Sequence, residues 1–417
     1  MISNKSIYQQ SKRLIDLSYI IKFSYKTGKN SIIKDVENNS YVDFSGGYGV
    51  AAIGWQNKEI IKEQIRQIKK SNFAPYSMPT QEANELAEKL VSFFPNQKLK
   101  CLKATGGANA NEVALSVFYN LTNGDVATFK NAYHGWSQAT LGMGEIEGFK
   151  MPRVKKQYET IKIDFPHTKL NIDEKESLKQ LEDILKNNSN IKIFIAEPII
   201  GSGGVFIPEK NYWKNFYEIC KKYGVFLIFD EVLTGFGRLG IMFAVEYFDI
   251  FPDAITFGKG ITSGYSSLGA VLIRQEHLNK YNFTDINASF AWTPYSCAIA
   301  KKNIEIIETQ NLKQNAEKIG LYLKEELDKI FSKYLKKYNF KVRGLGLMIS
   351  ISPSVKEIYI LGRLFFECIK MGLIFNFSGD GKSAVILPPL ILDKKTCDKG
   401  IKILTKAAKK LDSKEYI

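Results

Sequence analysis

Val225-Phe226-Leu227-Ile228-Phe229-Asp230-Glu231 is a run of apolar residues that ends in two carboxylates. Apolar side chains at successive positions, with no alternation, read as a strand buried on both faces. Asp230 then stands at the carboxyl end of that strand, the edge of an open α/β sheet where ligands bind. A carboxylate there is costly to bury unless it meets a cation or hydrogen-bond donors. A helix cap or an internal ion pair would satisfy it as well as a ligand would.

Further apolar runs at 126–129, 191–196, 254–257 and 270–273 are separated by stretches of helical periodicity. Strands spaced by helices and rich in Ile, Val and Phe predict an α/β sheet covered on both faces. Alternation predicts a strand pair at 31–36 and 40–44 around Glu37-Asn38-Asn39, before the glycine-rich Gly46-Gly47-Tyr48-Gly49. Residues 302–337 read as one long amphipathic helix or two joined ones, with Leu323, Leu327, Ile330 and Tyr334 on one face. Segments 342–352, 356–371, 384–387 and 394–411 alternate strand-like and helical character, which suits a smaller α+β domain.

The 417 residues suffice for one large domain and one smaller one. With 45% hydrophobic and 24% charged residues, the chain is neither disordered nor fibrous. No apolar run approaches the ~18–20 residues that cross a bilayer. Met1-Ile2-Ser3-Asn4-Lys5 leads into polar sequence without a signal peptide's apolar core. Five scattered cysteines without a CxxC pair predict no disulfide framework and a cytoplasmic setting. The net charge of +15 suits either nucleic acid or a lysine-coated soluble surface. The basic residues are dispersed, as along 318–337 and 402–414, so neither a nucleic-acid nor a membrane partner is expected. Three histidines without ligand spacing predict no metal site, and the lack of GxSxG disfavours a hydrolase triad.

Three other segments carry chemical promise. Thr256-Phe257-Gly258-Lys259-Gly260 closes an apolar run, and its glycines leave Lys259 projecting from a strand end toward the crevice of Asp230. A lysine in a partly desolvated, cationic pocket loses its proton more easily and attacks aldehydes; most isolated GKG lysines are solvated turns. Thr105-Gly106-Gly107-Ala108-Asn109 reads as a turn into a helix whose first amides suit a phosphate, or as an ordinary capped helix start. Asn131-Ala132-Tyr133-His134-Gly135-Trp136 offers an aromatic to lie over a planar ligand, or a packed loop. A phosphate cradle, an aromatic, a carboxylate and a lysine nucleophile together are what a pyridoxal-phosphate site requires.

The sequence resembles the class III, fold type I pyridoxal-phosphate-dependent aminotransferases over nearly its whole length. The resemblance is carried by Phe229-Asp230-Glu231-Val232-Leu233-Thr234-Gly235-Phe236-Gly237-Arg238-Leu239-Gly240 and Phe257-Gly258-Lys259-Gly260. Tyr133-His134-Gly135, Ala196-Glu197-Pro198, Val342-Arg343-Gly344-Leu345-Gly346 and Pro388-Pro389-Leu390 support it. It implies a large domain with a seven-stranded, mostly parallel sheet and helices on both faces, plus a smaller α+β domain from both termini. The implied boundaries are 1–50 for an N-terminal segment joining the small domain, 51–300 for the cofactor-binding domain and 301–417 for the small domain.

The resemblance further implies that Lys259 holds pyridoxal 5'-phosphate as a Schiff base and then shuttles the proton, while Asp230 pairs with the pyridine nitrogen. Tyr133 stacks on the ring, Gly107 and Ala108 bind the phosphate, and Glu197 lies near cofactor and substrate. Ser289 matches a threonine that reaches the phosphate of a neighbouring subunit, which implies a homodimer with shared sites. The implied reaction is ping-pong transfer of an amino group from an amine or amino acid donor to a keto acid or aldehyde. Aminomutase, epimerase, decarboxylase and lyase outcomes use the same cofactor residues. Two departures bear on substrate. Leu233 replaces a glutamine that contacts the ring hydroxyl, and Val385 replaces an arginine that grips an α-carboxylate in ornithine-type members. Lys382 is a nearby cation, and Tyr48, Trp55, Tyr76 and Trp292 are candidate pocket residues.

Overall fold

The structure, a computed structural model, describes residues 3, 4, 6, 24–71, 73–144, 146, 160–167, 172–279 and 288–413. Most of the Met1–Lys5 stretch and residue 414 of the basic tail lie outside the described residues. Three N-terminal strands, β1 (Tyr25–Lys29), β2 (Ile32–Asp35) and β3 (Ser40–Asp43), form an antiparallel meander. The strand pair read from alternation is β2 and β3, and β1 extends it.

Seven strands build the large sheet: β4 (Leu99–Ala104), β5 (Asp125–Phe129), β6 (Thr160–Ile163), β7 (Ile191–Ala196), β8 (Phe226–Asp230), β9 (Ala254–Phe257) and β10 (Gly269–Arg274). Their order is β4-β10-β9-β8-β7-β5-β6. All neighbours pair in parallel except β10, which runs antiparallel to both β4 and β9. Successive side chains go to opposite faces, and both faces are buried. Val126, Ile193, Ile195, Ile228, Ala254 and Val271 pack with Val113, Val117 and Phe118 of helix α1 (Gly107–Thr122). Ala127, Phe129, Phe194, Leu227, Phe229 and Ile255 join the other core, with Leu181 and Leu185 of α2 (Glu174–Asn187) and Trp213 and Phe216 of α3 (Tyr212–Lys222). Double burial is why these strands are apolar at nearly every position.

The segment read as 302–337 belongs to two helices, α4 (Pro294–Thr309) and α5 (Leu312–Tyr334). Asn311 breaks them at φ +52, a left-handed conformation that its short amide side chain tolerates. The C-terminal part holds β11 (Lys341–Leu345), β12 (Met348–Ser352), β13 (Leu373–Ile374), β14 (Asn376–Phe377) and β15 (Ala384–Ile386), with α6 (Tyr359–Lys370) and α7 (Lys394–Asp412). The run 342–352 is therefore a hairpin, turning at Gly346-Leu347. β13 pairs in parallel with β3, joining the two ends of the chain.

Arg238, in the loop after β8, is fully buried and fastens the parts together. Its guanidinium donates to the carbonyls of Leu347 and Pro388 and, at 3.5 Å, of Gly49. Burial lowers its pKa to about 10. Among the described residues no helix is long and apolar enough to cross a membrane.

Candidate active site

The carboxyl ends of β8 and β9 open onto a cavity of about 270 Å³. Asp230 ends β8 and is buried because the strand around it is. Its Oδ2 lies 2.8 Å from His134 Nδ1 and accepts from Asn111 Nδ2 at 2.7 Å, while Oδ1 accepts from the Val232 amide at 3.0 Å. A carboxylate only accepts, so the His134 ring donates through Nδ1. The ring's Nε2 meets Thr128 Oγ1 at 3.1 Å, and the Thr256 hydroxyl donates to Asn111 Oδ1 at 2.5 Å. These partners hold Asp230 from behind.

Lys259 stands two residues past β9, at φ +40. That angle is uncommon for a long side chain such as lysine, and such strain collects at functional sites. The side chain is half-buried and lines the cavity. Burial lowers its pKa; the negative charges of Glu197 and Asp230 oppose that shift and Arg238 adds to it. An amine with weakened proton affinity is the form that condenses with an aldehyde.

α1 opens at Gly107 with no side-chain cap from Gly106, so its first amides lack intrahelical acceptors. Gly107 and Ala108 line the cavity. A Cβ on Gly258 would fall 2.9 Å from the Gly107 amide nitrogen, so glycine is needed for the lysine turn to approach the helix start. Tyr133 lines the cavity half-buried, its pKa raised to about 12 by burial, then by Asp230 and Glu197.

Glu197, just after β7, is buried and accepts from the amides of Tyr133 and Gly201, both at 2.9 Å. Burial pushes its pKa up to about 7, with Asp230 adding to the rise. His134 and the two amides oppose it. Leu233 lines the cavity and Ser202 is beside it.

Six of the seven site residues drawn from the sequence thus share one cavity: Lys259, Asp230, Gly107, Ala108, Tyr133 and Glu197. Ser289 does not; it is exposed beside Phe290. Tyr48, Trp55, Tyr76 and Trp292 do not line the cavity either. Trp55 instead donates to Asp43 and buried Trp292 to the Gly269 carbonyl, both at 2.7 Å. Val385 is buried in β15, opposite Ser350 and Asn376, and Lys382 pairs with Asp380 at 3.8 Å. Sequence reasoning missed Asn111 and His134 as partners of Asp230. The signal for Asn111 was its place four residues into α1, on the turn above Gly107.

The residue set fits pyridoxal phosphate: an amine with lowered proton affinity, a buried carboxylate braced by donors, an aromatic wall and uncapped helix amides. Comparisons with known proteins agree. The family model for Aminotransferase class-III matches residues 17–408. The chain is 30% identical to 5-aminovalerate aminotransferase of Pseudomonas putida, over 91% of each. It is 29% identical to an alanine/serine racemase of Pyrococcus horikoshii, over 97% of this chain and 90% of the relative. The fold matches an aminotransferase from Bacillus anthracis with a TM-score of 0.90, at 24% identity, covering 98% of this chain and 100% of that one. With the family model spanning all but the chain's ends, this protein belongs to the class III aminotransferases, pyridoxal-phosphate-dependent enzymes that transfer amino groups.

Proposed function

We propose that Lys259 is the residue that attaches the cofactor and moves the proton, with Asp230 as the partner of its ring nitrogen. The observation that carries this reading is that Asp230 ends β8, Lys259 follows the adjacent β9, and both line one cavity with the start of α1. Bound pyridoxal phosphate supplies an aldehyde that condenses with amines and a ring that withdraws electrons from the bond being broken. Asp230, braced by His134 and Asn111, keeps a negative charge against that ring. The amides of Gly107 and Ala108 bind the phosphate and Tyr133 covers the ring. Lys259 Nζ would be placed to take a proton from the donor carbon and to hand it back to the substrate. Glu197 borders the substrate side.

The donor is an amine or amino acid and the acceptor a keto acid or aldehyde. Val385 leaves no arginine fork for an α-carboxylate at that position, and Lys382 pairs with Asp380, which favours donors whose amine is remote from any carboxylate. Racemisation is a second outcome, favoured by the alanine/serine racemase among the relatives.

A homodimer completes the site. Phe290 is 73% exposed, next to Ser289, and its ring lies 5.9 Å from that of Phe73. Tyr76 and Met78 are exposed nearby in sequence, giving an apolar surface suited to a second copy. Residues 1–50 and 301–417 work as one unit against 51–300, a division supported by the β3–β13 pairing, with its second boundary inside α4. Five cysteines without a disulfide support a reducing cytoplasm.

The test is the visible absorption of purified protein with added cofactor. A donor alone should remove the band lastingly, and a keto acid should restore it. A band that returns without acceptor supports racemisation, and protein that stays colourless overturns the reading.

A further inference from the structure

The turn between Glu197 and Phe206 is held from outside the large sheet. Gly201 donates its amide to Glu197 Oε2, and Ser202 lines the cavity. The turn closes on itself, with the Gly204 amide on the Gly201 carbonyl at 3.0 Å and the Val205 amide on it at 3.2 Å. Val205 adopts φ +58. A β-branched residue is a genuine outlier there, and strain of this kind persists only where the surroundings hold it.

Arg343 of β11 meets the strained stretch directly. Its Nε donates to the Val205 carbonyl at 2.9 Å, and one terminal nitrogen donates to the Gly204 carbonyl. The other donates to Ser352 Oγ at 2.7 Å, and the guanidinium lies over the Phe206 ring at 4.6 Å. A second tie joins the same parts, from the Gly379 amide to the Ser202 carbonyl at 2.9 Å. There is little slack on the cavity side. A Cβ on Gly201 would come 2.4 Å from Leu233 Cδ2 and 3.1 Å from Glu197 Oε2.

We propose that Arg343 is a positioning residue of the reaction: it clamps the strained 201–205 turn, so that Gly201 stays bonded to Glu197 and Ser202 stays in the cavity wall. The inference rests on the reading of this cavity as the reaction site. Through the clamp, the C-terminal hairpin sets the position and protonation of an acid it does not touch. The titratable groups that face Glu197 are His134, Asp230, Lys259 and Tyr133, and all belong to the large sheet's strand ends and loops. Arg343 acts on the acid through backbone geometry, by way of the Gly201 amide.

The experiment compares wild type, Arg343→Met and Arg343→Lys as holoenzymes. Three readouts are taken: hydrogen exchange of segment 199–206, the pH profile of kcat/KM, and the visible cofactor band with the unfolding midpoint. Arg343→Met should retain the band and raise exchange in 199–206 about tenfold. It should lower kcat/KM by about 10- to 100-fold, the cost of a small misplacement near the reacting atoms, and displace the profile's inflection near pH 7. Arg343→Lys, which keeps a cation and a single donor nitrogen, should fall between. In a Glu197→Gln background, Arg343→Met should no longer move the profile. Unchanged exchange in 199–206 overturns the proposal. So does a rate loss with the pH profile in place, or one matched by a general fall in the midpoint, as a purely structural role requires. A wild-type protein without a cofactor band removes the site reading, and this proposal with it.

Discussion

His134 Nδ1 lies 2.8 Å from Asp230 Oδ2, with both residues buried, so the acid at the end of β8 is oriented by an imidazole from the loop after β5. A hydrogen bond to a charged group contributes about 1.5–3 kcal/mol. Replacing His134 by Ala should therefore lower kcat by about 10- to 100-fold while the cofactor still binds. Stopped-flow half-reactions with donor alone measure this, and a rate equal to wild type would show that Asp230 needs no brace.

Lys259→Ala should lose the visible band of the attached cofactor and slow turnover by at least about 10²- to 10⁴-fold, the contribution of a positioned general base. Absorbance and steady-state rates read both effects on one sample.

Glu231, next to Asp230, is fully buried and accepts from Thr234 Oγ1 and the amides of Ala244 and Val245. Burial raises its pKa from 4.5 to about 7, against the pull of those three donors. The folded carboxyl keeps its proton to a higher pH than the unfolded one. Its contribution to stability is complete below about pH 4.5 and is lost as pH rises through about 7. Denaturant midpoints between pH 5 and 8 should therefore fall less steeply for Glu231→Gln than for wild type.

Gly201→Ala places a methyl against Leu233 and Glu197. Overpacking of this kind costs about 1–3 kcal/mol. The variant should bind cofactor normally yet show a raised KM for bulky donors before small ones, a pattern a donor-size series would detect.

Phe290→Asp introduces a charge on the exposed aromatic surface beside Ser289. Sedimentation should show a smaller particle than wild type, and cofactor affinity should drop with it. Intact assembly in this variant would place the subunit contact elsewhere.

Much of this was legible because doubly buried strands must be apolar throughout, so β5, β7, β8, β9 and β10 stand out in the sequence. β4 did not, since its Lys100 and Lys103 interrupt the apolar pattern on an edge strand that only β10 pairs. The cofactor-side residues were readable because lysine and aspartate at strand ends are chemically conspicuous. Asn111 and His134 were not, because their role lies in what they hold: each bonds Asp230 from a segment far away in sequence. The strained Val205 was invisible for the opposite reason, since nothing in a valine announces a positive φ.

The pairing of β3 with β13 has a consequence for how the protein is made. Val42 meets Leu373, about 330 residues downstream, so at about 5–20 residues per second the first strand waits on the order of 15–70 s for its neighbour. Throughout that interval one ladder of amides and carbonyls on β3 is open to any passing strand, a liability that ends only when β13 has left the ribosome.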